Sequence, residues 1–285
     1  MSKAILKQKS KNRVGAQAGV FADRFKNPKA KPNGEAELEF TQLQRGRVTF
    51  YIVGKTPLIM NRMSQKVIRG LLAPPGPKTK AEKQGSIKHN PLEEFRASAH
   101  TLRDPEAPTL LAMPATAFKG ALRDVAVDIP GAAKAQIGRL TYINEEYVPI
   151  YGAPQLLMSV VRNSDMNRTP DVRTRLIMPQ WAAVVTITFQ VPLLTATQIR
   201  DLFAAAGEII GVGDFRPQKG RGNYGQFVLT TAEHIEPIMA EGGREVQTQA
   251  LEKPGFYDVD SEELFMWYDL EMERRGRSKK DGDAQ

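Results

Sequence analysis

The chain has no cysteine, three histidines and two tryptophans among its 285 residues. Without thiols there is no disulfide framework, no thiolate nucleophile and no cysteine-ligated zinc. The histidines, at positions 89, 100 and 234, lie too far apart to suggest a metal site. No run approaches the roughly 18 consecutive apolar residues of a membrane span. The opening "MSKAILKQKSKNR" lacks the apolar core of a secretory signal. Together these absences predict a soluble, cytoplasmic protein with no metal, no cofactor and no membrane partner.

Apolar side chains make up 41% of the sequence, enough for a sizeable core in one large domain or two small ones. The net charge is +8, and it is unevenly placed. Residues 1–33 carry nine Lys or Arg against the single acid Asp23, so the remainder is balanced. Within that remainder Arg62, Lys66, Arg69, Lys78, Lys80, Lys83 and Lys88 face only Glu82, while acids gather from Asp258 to Glu273. Separated charge of this kind suits a polyanionic partner on one basic face.

Residues 1–40 have no apolar period and contain "NPKAKPNG", the composition of a flexible basic arm. Order begins where Val48, Phe50 and Ile52 alternate with Thr49, Tyr51 and Val53, a half-buried strand over 47–55. Ile59, Met63, Val67 and Leu71, spaced by four, predict an amphipathic helix. The stretch 73–91 is rich in Pro, Gly and Lys and predicts a basic loop. Helices are expected at "PLEEFRASAHTL" and at "ATAFKGALRDVAVDI", the second with Thr116 as its cap, and strands at "YVPIYG" and "QLLMSVVRN". A polar connection over 162–175, with Arg162, Arg168, Arg173 and Arg175, precedes the strongest strand signal, "WAAVVTITFQVP". Thr195 and Gln198 form a capping box for a helix that Gly211 ends in a left-handed cap, and "GQFVLTT" predicts the last strand. The pattern is α+β, a sheet with helices on one face and basic excursions, followed by a C-terminal extension over 233–285 that is acidic, then basic, and partly disordered.

The segment "GVGDFRPQKGRGNYGQF", 211–227, holds five glycines and three cations. A Walker loop requires Gly-Lys-Ser/Thr ahead of a helix, whereas Lys219 here precedes Gly220 and Arg221 and a strand follows. A dinucleotide fingerprint requires strand, glycines, helix in that order, which is reversed here. The remaining reading is a loop in which Gly220, Gly222 and Gly225 let the backbone approach a partner, with Arg216, Lys219 and Arg221 supplying charge and Tyr224 or Phe215 a stacking face. Those groups suit a single-stranded sugar-phosphate chain; a β-turn with incidental cations is the alternative.

A second motif joins the first. "MPATAFKGALRDVA", 113–126, resembles the Pro-small-small-x-x-Lys-Gly-x-x-Arg helix start of the CRISPR-associated RAMP superfamily, with Pro114, Lys119, Gly120 and Arg123 on the motif and Gly220, Gly222 and Gly225 on that superfamily's glycine-rich loop. Within it the chain is similar to the backbone subunits of the Cas-seven family, or to phage proteins of that architecture. The resemblance covers about 45–232. It implies a ferredoxin-like, RNA-recognition-type sheet with helices on one face and long loop insertions, a thumb and fingers, at about 73–91 and 162–175. It also implies a repeated subunit that self-associates along a guide RNA beside other effector-complex subunits, in a prokaryotic or phage-infected cell. On this reading Lys119 and Arg123, one helical turn apart, hold phosphate, and Arg62, Lys66, Arg162, Arg168 and Arg173 line the path. The alternatives are a phage single-stranded DNA-binding or annealing protein and a RAMP endoribonuclease. For the latter, His89, His100, His234, Asp165 and Asp171 are the residues to weigh; none of the histidines has an orienting partner in sequence, and the expectation is a protein that is not an enzyme.

Overall fold

Strand β1 (Gln44–Gly54) turns Phe50 and Ile52 inward and leaves Arg45, Arg47 and Thr49 exposed, as its alternation requires. The computed structural model describes residues 42–73, 76, 89–162 and 169–282, with the side chains of Lys66 and 276–282 excepted. From Leu43 onward these residues belong to one unit.

The first sheet has the order β3 (Ala112–Pro114), β5 (Tyr147–Tyr151), β8 (Ala182–Val191), β1, β9 (Phe227–Thr230), and the two-residue β4 (Thr141–Tyr142) also pairs with β8. The second has the order β10 (Gly255–Phe256), β6 (Gln155–Arg162), β7 (Pro170–Met178), β2 (Leu58–Met60). All pairings are antiparallel except β10 with β6. The chain passes from one sheet to the other between β1 and β2, β2 and β3, β5 and β6, β7 and β8, and β9 and β10.

Among the described residues eight helices accompany the sheets: α1 (Gln65–Leu72), α2 (Pro91–Ala97), α3 (Ala115–Asp124), α4 (Lys134–Leu140), α5 (Ala196–Ala205), α6 (Ala232–Glu241), α7 (Arg244–Glu252) and α8 (Val259–Gly282). The architecture is α+β, as the pattern predicts. Phe50 of β1, Phe118 of α3, Phe203 of α5 and Phe227 of β9 meet with ring centroids 5.1–6.2 Å apart, and Trp181 closes on Phe227 at 6.3 Å. Phe227 joins three of these pairs, so its truncation to Ala costs about 3–5 kcal/mol.

The capping box at Thr195 and Gln198 is present. Other expectations are corrected. Residues 170–178 are a strand, not part of a connection, because β6 supplies a full ladder of partners for a segment whose side chains are polar. Ile59 belongs to β2, where it pairs with Ile177; α1 starts only at Gln65, and its Val67 and Leu71 are exposed rather than packed. Thr116 lies inside α3, whose N-cap is Pro114 without a side-chain bond. Gly211 has a positive φ of 69° but an extended ψ of 178°, so it ends the turn that follows α5 without a left-handed cap. Helices do not keep to one face: α3 and α5 cover the core side, while α6 lies against β1 and β8 with Ile235 fully buried outside the main cluster. Part of the C-terminal extension packs against the sheets. Gln247 of α7 is fully buried, Ser261 of α8 donates to the Met158 carbonyl of β6 at 3.5 Å, and β10 extends the second sheet.

Candidate nucleic-acid interface

The glycine loop is folded upon itself. The Val212 amide donates to the Gly225 carbonyl at 2.9 Å, the Gly225 amide to the Pro57 carbonyl at 2.8 Å, and the Tyr224 amide to the Phe215 carbonyl at 3.3 Å. At Gly225 the backbone has φ 70° and a Cβ would lie 1.7 Å from the Val212 oxygen; at Gly222 it would lie 1.5 Å from the Phe215 oxygen. These two glycines therefore serve the loop's own packing, which leaves no room for a Cβ at either position. Gly220 differs from them: it has φ 77°, caps the turn Pro217–Lys219, and has open space around it.

Asp214 pins the loop to the second sheet, accepting from Arg175 at 2.8 Å and from Asn61 at 3.1 Å. Arg216 donates to the Gly213 carbonyl at 2.8 Å and, through two nitrogens, to Gln218 Oε1 at 2.7 and 2.9 Å. It positions the loop. Gln218 Nε2 then reaches Asp124 Oδ2 at the end of α3 at 2.6 Å. Asp124 also holds Arg123 at 2.7 Å and Lys134 at 3.0 Å. Burial pushes the Asp124 carboxyl up, but the hydrogen bonds from Lys134, Arg123 and Gln218 outweigh it and hold the group below its ordinary value. The loop and the basic helix are thus one contiguous surface.

On that surface Lys219 and Arg221 are exposed, and their side chains have no hydrogen-bonded or ion-paired partner among the described residues. Arg123 and Lys134 are about half exposed, so each keeps donors for a second acceptor. Lys119, four residues before Arg123, places its ammonium 5.1 Å from the centroid of the Tyr142 ring. Of the two stacking residues, Tyr224 is half-buried with Tyr257 against Ile59, Leu157 and Ile177, and burial, Tyr257 and Asp258 push its hydroxyl pKa up. Phe215 is the exposed ring, held at a positive φ of 52°. A bulky residue in that region is a departure that folding alone does not favour.

The remaining expected residues are dispersed. Arg62 is exposed just before α1, and its charge helps lower the pKa of His100. Arg162 ends β6, and Arg173 of β7 pairs with Asp171 at 3.3 Å. The Lys66 side chain, Arg168, Asp165, the 1–40 arm and most of the 73–91 excursion lie outside the described residues. His89 has the orienting partners that its sequence surroundings do not reveal: Nδ1 is 2.6 Å from Glu94 Oε1 and Nε2 is 2.9 Å from the buried Asp171. Both ring nitrogens are engaged, which makes His89 a clamp between α2 and β7. Sequence reasoning missed Asp124, Gln218 and Lys134. Nothing in "RPQKG" distinguishes Gln218 from a solvated amide.

Among the described residues no three His, Cys, Asp or Glu side chains gather as a metal site, and no helix is long and apolar enough to cross a membrane. No protein-family model matches the chain, and no curated protein matches it significantly. Among solved structures the chain is similar to Cmr6 from Pyrococcus furiosus, at 12% identity and a TM-score of 0.31, over 66% of this chain and 100% of that one. It is also similar to a chain of the Type III-B Cmr-beta complex bound to cognate target RNA, at 14% identity and a TM-score of 0.27, over 64% of this chain and 60% of that one. Both overlays are loose.

Proposed function

We propose that the protein binds single-stranded nucleic acid by its sugar-phosphate backbone, along a line from Lys219 and Arg221 past Arg123 to Lys119, as a repeated, non-catalytic subunit coating a guide RNA in a CRISPR-type effector complex. The bond between Gln218 and Asp124 carries this reading, because it joins two motifs that are 94 residues apart into one basic surface. Two free cations on a loop beside two more on a helix form a continuous track for phosphates, and phosphate contacts confer little sequence preference. The strand order β5-β8-β1-β9, with α3 between β1 and β5 and α5 between β8 and β9, supports the ferredoxin-like reading. The exposed Phe215 supplies a stacking face at the loop.

The test is fluorescence anisotropy with labelled RNA, single-stranded DNA and duplex of one sequence at two salt concentrations. The proposal expects single strands to bind far better than duplex, RNA best. Affinity should fall by roughly two and a half orders of magnitude between about 50 and 200 mM salt for six engaged phosphates. A preference for single-stranded DNA would move the protein to the phage DNA-binding class. Indifference to every oligonucleotide at low salt would end the reading.

A further inference from the structure

The side of the first sheet away from the aromatic core carries a second set of groups that the loop and helix do not explain. Register places Arg45 opposite Gln190, Arg47 opposite Thr188, and Thr49 opposite Thr186, where the two hydroxyl oxygens are 3.0 Å apart. Thr188 is also opposite Tyr142 of β4, so Arg47, Thr188 and Tyr142 form a row across three strands on one face. Helix α6 packs on β1 and β8, yet at the Arg45 end the face stays exposed among the described residues. Arg45, Tyr142, Asn144, Thr188 and Gln190 line a shallow cleft there.

A merely solvated sheet face has little use for this composition. Arg45 and Arg47 are exposed, lie two residues apart on one face of β1, and have no carboxylate partner among the described residues. Tyr142 is 40% exposed on an edge strand of two residues, so its ring is presented rather than packed. Asn144 donates to Thr188 at 3.3 Å, which fixes one amide at the floor of the cleft beside that of Gln190. Lys119, the first motif cation of α3, stands over the Tyr142 ring and so links the helix to this cleft directly.

We infer that Tyr142 is a base-stacking platform and that the cleft beside it takes one nucleobase of a bound single strand, with Arg45 and Arg47 holding the phosphates that follow Lys119. The inference rests on reading the loop and α3 as a nucleic-acid interface and extends that interface around the sheet edge. Every base has a stacking face, so the platform is sequence-tolerant, and the amides of Asn144 and Gln190 supply hydrogen bonds to base edges.

The experiment compares an ordinary single-stranded oligonucleotide with an abasic one of equal length, for the wild type, Tyr142→Ala and Tyr142→Phe. Wild type and Tyr142→Phe should prefer the base-bearing strand. Tyr142→Ala should lose at least about five-fold in affinity for it, little for the abasic strand, and keep the same salt slope. Photocrosslinking of the wild type to a 4-thiouridine strand should label the peptide around Tyr142, a readout that needs no variant to fold. A wild type that binds neither strand sinks the reading of the loop and helix. A wild type that binds both strands while Tyr142→Ala changes nothing, or crosslinks that avoid Tyr142, overturns the platform alone.

Discussion

Gln218 Nε2 donates to Asp124 Oδ2 across 2.6 Å, and through that bond the glycine loop is fastened to the end of the basic helix. Arg216 completes the brace by holding Gln218 Oε1 from the loop side. Gln218→Ala removes the brace without changing any charge. It should weaken oligonucleotide binding a few-fold by releasing the loop, about 1 kcal/mol for one charge-assisted bond, and leave the salt dependence as it was. Parallel salt titrations of wild type and variant by anisotropy check both parts.

Lys219 and Arg221 should act in the opposite way. Both are exposed and unpaired among the described residues, so their contribution to a phosphate track is Coulombic and folding should not depend on them. Changing each to Gln should flatten the plot of log affinity against log salt by about 0.7 per residue, and thermal unfolding should stay put. An unchanged slope would remove these two residues from the interface.

The loop glycines divide into two kinds, which unfolding experiments should separate. Gly220→Ala meets nothing within 4 Å and bears only the cost of a left-handed backbone, about 1–2 kcal/mol. Gly225→Ala adds a clash 1.7 Å from the Val212 oxygen at φ 70°, so the backbone itself must move. Urea midpoints should therefore fall much further for Gly225→Ala, and binding should fall with them because Val212 and Gly225 close the loop.

Period and composition made the regular parts legible. Strand β1 shows in the alternation of Val48, Phe50 and Ile52, and α5 in the Thr195 capping box with Ile199, Leu202 and Phe203 behind it. Strand β7 was hidden because Asp171, Arg173, Thr174 and Arg175 read as a polar connection; it exists through its ladder with β6 and through the buried contacts of Asp171 and Thr174. At the site, the cations were legible by type and spacing, and the exposed positions of Lys219 and Arg221 suit them. The brace that assembles them was not, since an amide and a carboxylate 94 residues apart leave no mark on local sequence. The glycines were legible as unusual, but their work, closing the loop against its own carbonyls, depends on contacts that only the folded chain supplies.

His100 should make the protein's stability depend on pH. Burial, and then the charge of Arg62, lower its pKa from 6.5. The unfolded chain therefore takes up the proton first, and protonation favours unfolding. The stability tied to neutral His100 is fully present above about pH 6.5 and is lost as pH falls through the lowered folded value. Asp124 has the same sign but acts only in the carboxylate range, because its folded pKa lies below 3.8. Urea midpoints measured down from pH 7.5 should decline below 6.5 in the wild type, and His100→Gln should flatten that limb while leaving the acid limb in place.

Gln247 should be the most sensitive polar residue in the C-terminal region. Its Oε1 accepts from the amides of Leu110 and Leu111 at 2.9 and 2.8 Å, and its Nε2 reaches the carbonyls of Ile150, Gly152 and Gly242 at 2.8, 3.1 and 2.9 Å. The side chain is fully buried, so without it the amides of Leu110 and Leu111 would lose their acceptor without gaining water, while the Gly242 carbonyl would keep only the Gly152 amide. Gln247→Leu keeps the bulk and removes the bonds, which should cost about 3 kcal/mol or more, read as a lower urea midpoint at constant slope. Gln247→Glu isolates the donor: the acceptor side survives, whereas a carboxylate would face three carbonyl oxygens, so its destabilisation should grow as pH rises and the group ionises. A Gln247→Leu protein as stable as the wild type would mean that α7 is an appendage; a large loss would establish it as part of the frame that holds β5 and the strands beside it.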